Sequence, residues 1–169
     1  PFLCRYLDIA HTDVVKTRVK LVLDDFTDFW LNKEVSPFGF PQHPLDRMTA
    51  FGNVVQVARY AYSMLAIANY TDNSEAYNSA LSAFNFITGY NPFATSYIVG
   101  IGDSNITPSA NYFKRSYEDG IGSFLPGFTN DGTTFTQNFS KYQVTEGVVP
   151  VNSTLFFMLS CLDSYSLLI

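Results

Sequence analysis

The chain has 169 residues, of which 47% are hydrophobic and only 15% charged, with a formal net charge of −5. That composition is enough for one domain with a real core and excludes a disordered chain. The acidic balance excludes a nucleic-acid binder working through a basic face, and no apolar run reaches the ~20 residues that cross a bilayer.

In chain order, Pro1-Phe2 opens without Met or a signal peptide, so the chain is expected to be a processed product or part of a longer protein. Residues 12–30 read as a helix capped by Thr12 or Asp13, with Val15, Val19, Val22, Phe26 and Phe29 on one stripe. Asp24, Asp25 and Asp28 read as its wet face, and Trp30 as core. Residues 33–50 hold Pro37, Gly39, Pro41 and Pro44 and read as a loop. His43 lies in that loop and His11 before the first helix; each is a ligand or base only if partnered, and otherwise a solvated bystander.

A second helix is expected over 53–69, with Val54, Val57, Ala58, Ala61, Leu65 and Ala68 on one face. Thr71 to Ser74 make a turn and cap, and a third helix follows over 74–88, ended by Gly89 with Pro92 beyond. The two form a helical hairpin. From Tyr90 to Val144 the helical period disappears, apart from a short extended piece at Ser96 to Val99. A loop of that length in a compact domain is functional or held by something else. Its Phe and Tyr rings suit stacking on sugars or packing onto helices. A last helix runs from about Pro150 to Leu168, with Leu155, Met158, Leu159 and Leu162 inward. These helices do not close a core by themselves, so the chain is expected to belong to a larger helical domain or to pack on another chain.

Four Asn-x-Ser/Thr triplets begin at Asn69, Asn105, Asn138 and Asn152, which points to a secreted, extracellular glycoprotein; the alternative is a chain simply rich in Asn, Ser and Thr. Asn69, Asn105 and Asn138 are the expected glycan sites. Cys4 and Cys161 are either a bridge joining the two ends or two buried thiols, and two cysteines argue against structural zinc. No cofactor or metal is expected. Glu146 stands between the loop and the last helix, with Tyr142 before it and Asn152 after it; it reads either as a cleft carboxyl or as a solvated charge at a helix start.

The wording of two stretches goes further. Phe86 to Phe93 (FITGYNPF) followed by Ser96 to Gly102 (SYIVGIG) resembles the C-terminal part of family 9 glycoside hydrolases, the endoglucanases. Phe135, Tyr142, Glu146, Asn152 and Ser153 meet the spacing of that family's later signature without a gap. The run from Phe38 to Pro41 through Phe51 to Asn53 looks like its lead-in. The resemblance covers residues 38–167 and makes 1–169 a single partial domain. It implies an all-α fold, the C-terminal half of an (α/α)6 barrel with one long irregular loop, and β-1,4-glucan hydrolysis with inversion. Such chemistry needs two carboxyls roughly 6.5–9.5 Å apart.

By resemblance Glu146 is the general acid, and Tyr142, Gln137, Ser109 and Asn111 are substrate-binding positions. Gln137 replaces the family's Asp, and Ser109 and Asn111 replace the His and Arg of its Pro-His-x-Arg segment. The Asp pair that serves as base has no counterpart; Asp24-Asp25 lacks the family's Gly. The first expectation is therefore a degenerate, structural or glucan-associated domain, whose expected partners are a β-glucan or other polysaccharide and the remaining half of the domain or other chains of an extracellular assembly. The rivals are an active endoglucanase missing its N-terminal half, and a carbohydrate-binding module without chemistry.

Overall fold

The computed structural model describes residues 2–46, 52–102, 122, 124–130, 135–136 and 149–166. The described helices are α1 (Phe2–Ile9), α2 (Asp13–Leu31), α3 (His43–Asp46), α4 (Val54–Thr71), α5 (Ser74–Thr88) and α6 (Val149–Ser166). The described strands are β1 (Thr129–Asn130) and β2 (Phe135–Thr136), antiparallel, with Thr129 opposite Thr136 and Asn130 opposite Phe135. The expected all-α fold is thus what the chain adopts, with one two-residue ribbon.

α4 lies at the centre. Val54, Val57, Ala58, Ala61, Met64, Leu65 and Ala68 are wholly buried along it. So wide an apolar face has to be covered on most of its sides, and a stripe of Gln56, Arg59 and Ser63 stays partly open. α5 returns beside it as the expected hairpin, and the buried Ala76, Ala80 and Ala83 on α5 face α4 with little bulk between the two backbones. The Tyr60 hydroxyl meets Ser79 Oγ at 2.7 Å and joins the pair. Between them Asp72 takes a left-handed φ of 54°, and Asn73 caps α5 by accepting the Ala76 N–H at 2.9 Å.

α6 packs along α4 through Val151, Thr154, Leu155 and Met158. Leu159, expected inward, is exposed, as are Phe156 and Phe157. This helix carries apolar residues around its circumference, and only one side finds a partner among the described residues.

α1 and α2 cover further sides of α4. The stripe expected on α2 is rotated. Leu23 and Thr27 are buried, while Val22, Phe26 and Phe29 are exposed. Thr27 enters the apolar side because its hydroxyl donates to the Leu23 carbonyl at 2.9 Å and leaves no orphan. Trp30 is half-buried against Tyr60 rather than in the core proper.

The segment after α5 is irregular but buried. Tyr97 N–H donates to the Ile87 carbonyl, and Leu125 N–H donates to the Tyr97 carbonyl, both at 2.9 Å. Residues 124–128 form a strap across the start of α4. Asn53 N–H donates to the Phe128 carbonyl at 2.7 Å, and Val54 N–H to the Pro126 carbonyl at 3.2 Å. Main-chain carbonyls of the strap therefore satisfy N–H groups that a helix start leaves open.

Two glycines make this approach feasible. A Cβ on Gly127 would lie 2.2 Å from Val54 Cγ2, and one on Gly52 would lie 1.9 Å from the Pro126 carbonyl oxygen. Gly127 also has φ +78°, a region that L side chains rarely adopt.

Gly127→Ala is expected to cost roughly 2–4 kcal/mol of unfolding free energy, since overpacking and left-handed strain add. Gly89 ends α5 at φ +134° with open space around it, so Gly89→Ala should cost only about 1 kcal/mol. Urea titrations of the two variants check this, and equal losses would contradict the close-approach account.

Candidate functional site

The positions assigned to chemistry by resemblance, Glu146, Tyr142, Gln137, Ser109 and Asn111, lie outside the described residues, as do Asn105 and Asn138. Their frame is described on both sides. The β1–β2 ribbon delivers the chain to Gln137, and α6 begins at Val149, just past Glu146.

Asn152 fixes one side of that frame. Its Oδ1 accepts the Phe124 N–H at 2.8 Å and its Nδ2 donates to the Phe124 carbonyl at 3.4 Å. An amide side chain has one acceptor and one donor group, so it can pair with a whole peptide unit as a neighbouring strand would. The signature asparagine, half-buried, thus ties α6 to the strap over α4.

Asn91 does the same work at the other end. Its Nδ2 donates to the carbonyls of Phe86, at 2.7 Å, and Thr95, at 2.8 Å, and its Oδ1 accepts the Phe93 N–H at 3.1 Å. Asn53 Nδ2 donates to the Leu45 carbonyl at 2.9 Å and holds α3 to the start of α4. Each of these asparagines stands in a stretch that carries the resemblance.

Most aromatic rings of the described loop serve the core. Tyr97, Phe124 and Phe128 are buried, and burial pushes the Tyr97 phenol far above its ordinary pKa. Tyr90 is the exception among them: it is 67% exposed, with its ring edge-on to Phe38.

A concavity of about 320 Å³ opens between the end of α2, α3 and the start of α4. Trp30 forms one wall, with the His43 ring 5.6 Å and the Tyr60 ring 5.5 Å from its own. Gln56, Arg59 and Ser63 supply its polar lining. The sequence offered no signal for this cleft, because three separate segments build it and His43 alone reads as a bystander. Tyr60 contributes its ring only: its hydroxyl is turned to Ser79, and burial pushes its pKa up to about 12. The described lining contains no carboxyl, so this cleft is suited to binding and not to paired-carboxyl hydrolysis.

His11 is exposed between α1 and α2. Among the described residues no group of three His, Cys, Asp or Glu side chains is arranged to hold a metal. Asn69 lies in the last turns of α4, half-buried, with Nδ2 donating to the Cys161 carbonyl at 3.5 Å. A glycan at this nitrogen requires the side chain to leave that contact. Cys4 and Cys161 are both free thiols and pack in one apolar cluster.

No family model and no curated protein matches the chain. Solved structures match it in fold. The cellulase Cel9M of C. cellulolyticum, solved in complex with cellobiose, aligns with TM-score 0.65 and 18% identity over 96% of this chain and 38% of its own. A second structure of Cel9M gives the same score over 39% of its length. Endoglucanase CelQ from Clostridium thermocellum, complexed with cellobiose and cellotriose, aligns with TM-score 0.56 and 17% identity over 69% of this chain and 22% of its own. The chain thus spans well under half the length of these enzymes. It has the fold of part of their helical barrel, as the resemblance implies.

Asn152→Ala is expected to lower unfolding free energy by about 1–3 kcal/mol, because two main-chain groups of Phe124 lose their partner. Ser153→Ala, which removes only an exposed hydroxyl bonded to the Pro150 carbonyl, should stay within roughly 0.5 kcal/mol. Thermal or urea unfolding of the pair checks this, and the reverse order would remove Asn152 from the frame.

Proposed function

We propose that this chain is part of a family 9-like glycoside hydrolase domain of an extracellular glycoprotein, which holds a β-glucan or supports an assembly without hydrolysing it. The observation that carries the reading is the fold match to cellulases over 96% of the chain. Glu146 keeps the acid position of the motif, and the positions around it are changed. Gln137 can hydrogen-bond a sugar but cannot take a proton, and Ser109 and Asn111 lack the charge and reach of His and Arg. An acid without a base on the opposite face of the sugar cannot activate water. General acid catalysis alone contributes typically ~10²–10⁴-fold, too little when the base and the positioning groups are missing.

The exposed apolar residues favour a partner. Leu21, Val22, Phe26 and Phe29 on α2, and Phe156 and Phe157 on α6, lie open to solvent. Contiguous faces of this kind mark protein interfaces. We assign them to the remaining helices of a barrel, on the same polypeptide or on another chain. That completion also keeps a second reading in view, an active inverting endoglucanase whose base stands on the missing part; the share of each cellulase that this chain leaves uncovered favours it. A third reading, a carbohydrate-binding module, keeps the cleft alone. Among the described residues no helix is long and apolar enough to cross a membrane. Secretion is proposed from the four Asn-x-Ser/Thr triplets.

The test is turnover of a soluble cellulose derivative by the purified chain and by Glu146→Gln, beside titration with cellotriose. The expected result is no turnover by either protein and weak saturable binding by both. Turnover that disappears in Glu146→Gln would overturn the degenerate reading and establish the endoglucanase. Absence of any glucan binding would leave only the structural role.

A further inference from the structure

The first and last helices converge on the final turns of α4. Cys4 of α1 is 1% exposed, in a small cluster with Leu7, Leu23, Ala66 and Ile67, and Cys161 of α6 packs against the same cluster. Consecutive residues of α4 hold the two helices there. Asn69 Nδ2 donates to the carbonyl of Cys161 itself, and Tyr70 Oη donates to Asp8 Oδ2 at 2.9 Å, one turn along α1 from Cys4. The chain has only these two cysteines, so neither has a competing partner within it.

We propose that Cys4 and Cys161 form a reversible disulfide that fastens α1 to α6. This is independent of the glucan reading, because it concerns the side of α4 that the cluster covers. Burial pushes both thiols above the ordinary value, and a Cys4 thiolate would push Cys161 further, as expected of sulfurs close enough to feel each other's charge. In this reduced form both therefore stay protonated near neutrality and behave as packing groups.

The oxidant is a small-molecule disulfide such as oxidised glutathione. Cys161 is the more open of the two and reacts first. Its thiolate attacks one glutathione sulfur, the glutathione S–S bond breaks, and one glutathione thiolate leaves. The Cys4 thiolate then attacks the Cys161 sulfur of the mixed disulfide and expels the second glutathione. The protein loses two electrons and two protons, and two glutathione thiols carry them away. Because attack needs thiolates, the rate should rise as the pH rises toward the raised thiol pKa values.

A bridge between residues so near the two ends closes a loop of almost the whole chain, which removes much entropy from the unfolded state. Oxidation should raise Tm by roughly 10 °C for a domain of this size.

The experiment treats the reduced chain with oxidised glutathione at pH 8.5, quenches it, denatures it, alkylates it and maps peptides without reductant. The expected result is one cross-linked peptide pair containing Cys4 and Cys161, no alkylation at either, and a Tm rise that dithiothreitol reverses. Cys161→Ser and Cys4→Ser should show neither the cross-link nor the rise. Full alkylation of both cysteines after oxidation, or glutathione adducts without the cross-link, would overturn the proposal. The wild-type peptide map decides this even where a serine variant does not fold.

Discussion

α4 is buried along most of its circumference, with a narrow stripe of Gln56, Arg59 and Ser63 turned to the open cleft, and much of the fold follows from enclosing the rest. α5 covers it through small residues, α6 through Leu155 and Met158, and α1 and α2 cover part of the remainder. The start of α4 is the difficult place, because helix N–H groups buried there need acceptors and no side chain caps them. The strap at 124–128 solves this with its own carbonyls, and Gly52 and Gly127 let it come close enough. A segment without periodic structure thus becomes as integral to the core as a helix.

Asparagine amides keep that strap and its neighbours in register. Asn91 ties the end of α5 to the following turn, Asn152 ties α6 to Phe124, and Asn53 ties α3 to α4. These residues belong to the same wording that resembles the endoglucanases. The matching positions that are described have structural tasks, whereas the departures, Gln137, Ser109 and Asn111, fall at positions assigned to substrate.

The helical hairpin was legible because periodicity, the Asn73 cap and Gly89 all speak locally, and both helices stand within two residues of where the sequence put them. α1 went unread, since its eight residues are too few to set a period. The inward face of α2 is turned one position from the stripe that apolarity predicts: Val22, Phe26 and Phe29 outweigh Leu23 and Thr27 in apolarity, yet Thr27 satisfies itself on its own backbone and can be buried. The same abundance of apolar residues blurred α6, where Leu159 points outward. Asn152 was legible as a motif residue and not as a tie, because its partner Phe124 is distant in sequence. The aromatic cleft at Trp30 and His43 left no trace, as no local pattern joins α2, α3 and α4.

The strap and α4 are expected to unfold as one cooperative unit. Native-state hydrogen exchange tests it most directly, on the amides of Asn53, Val54, Tyr97 and Leu125 against those of Met64 and Leu65 inside α4. Both sets should exchange only through the same global opening, with equal free energies and equal response to denaturant. Exchange of the first set through a local opening, while Met64 and Leu65 stay protected, would contradict it.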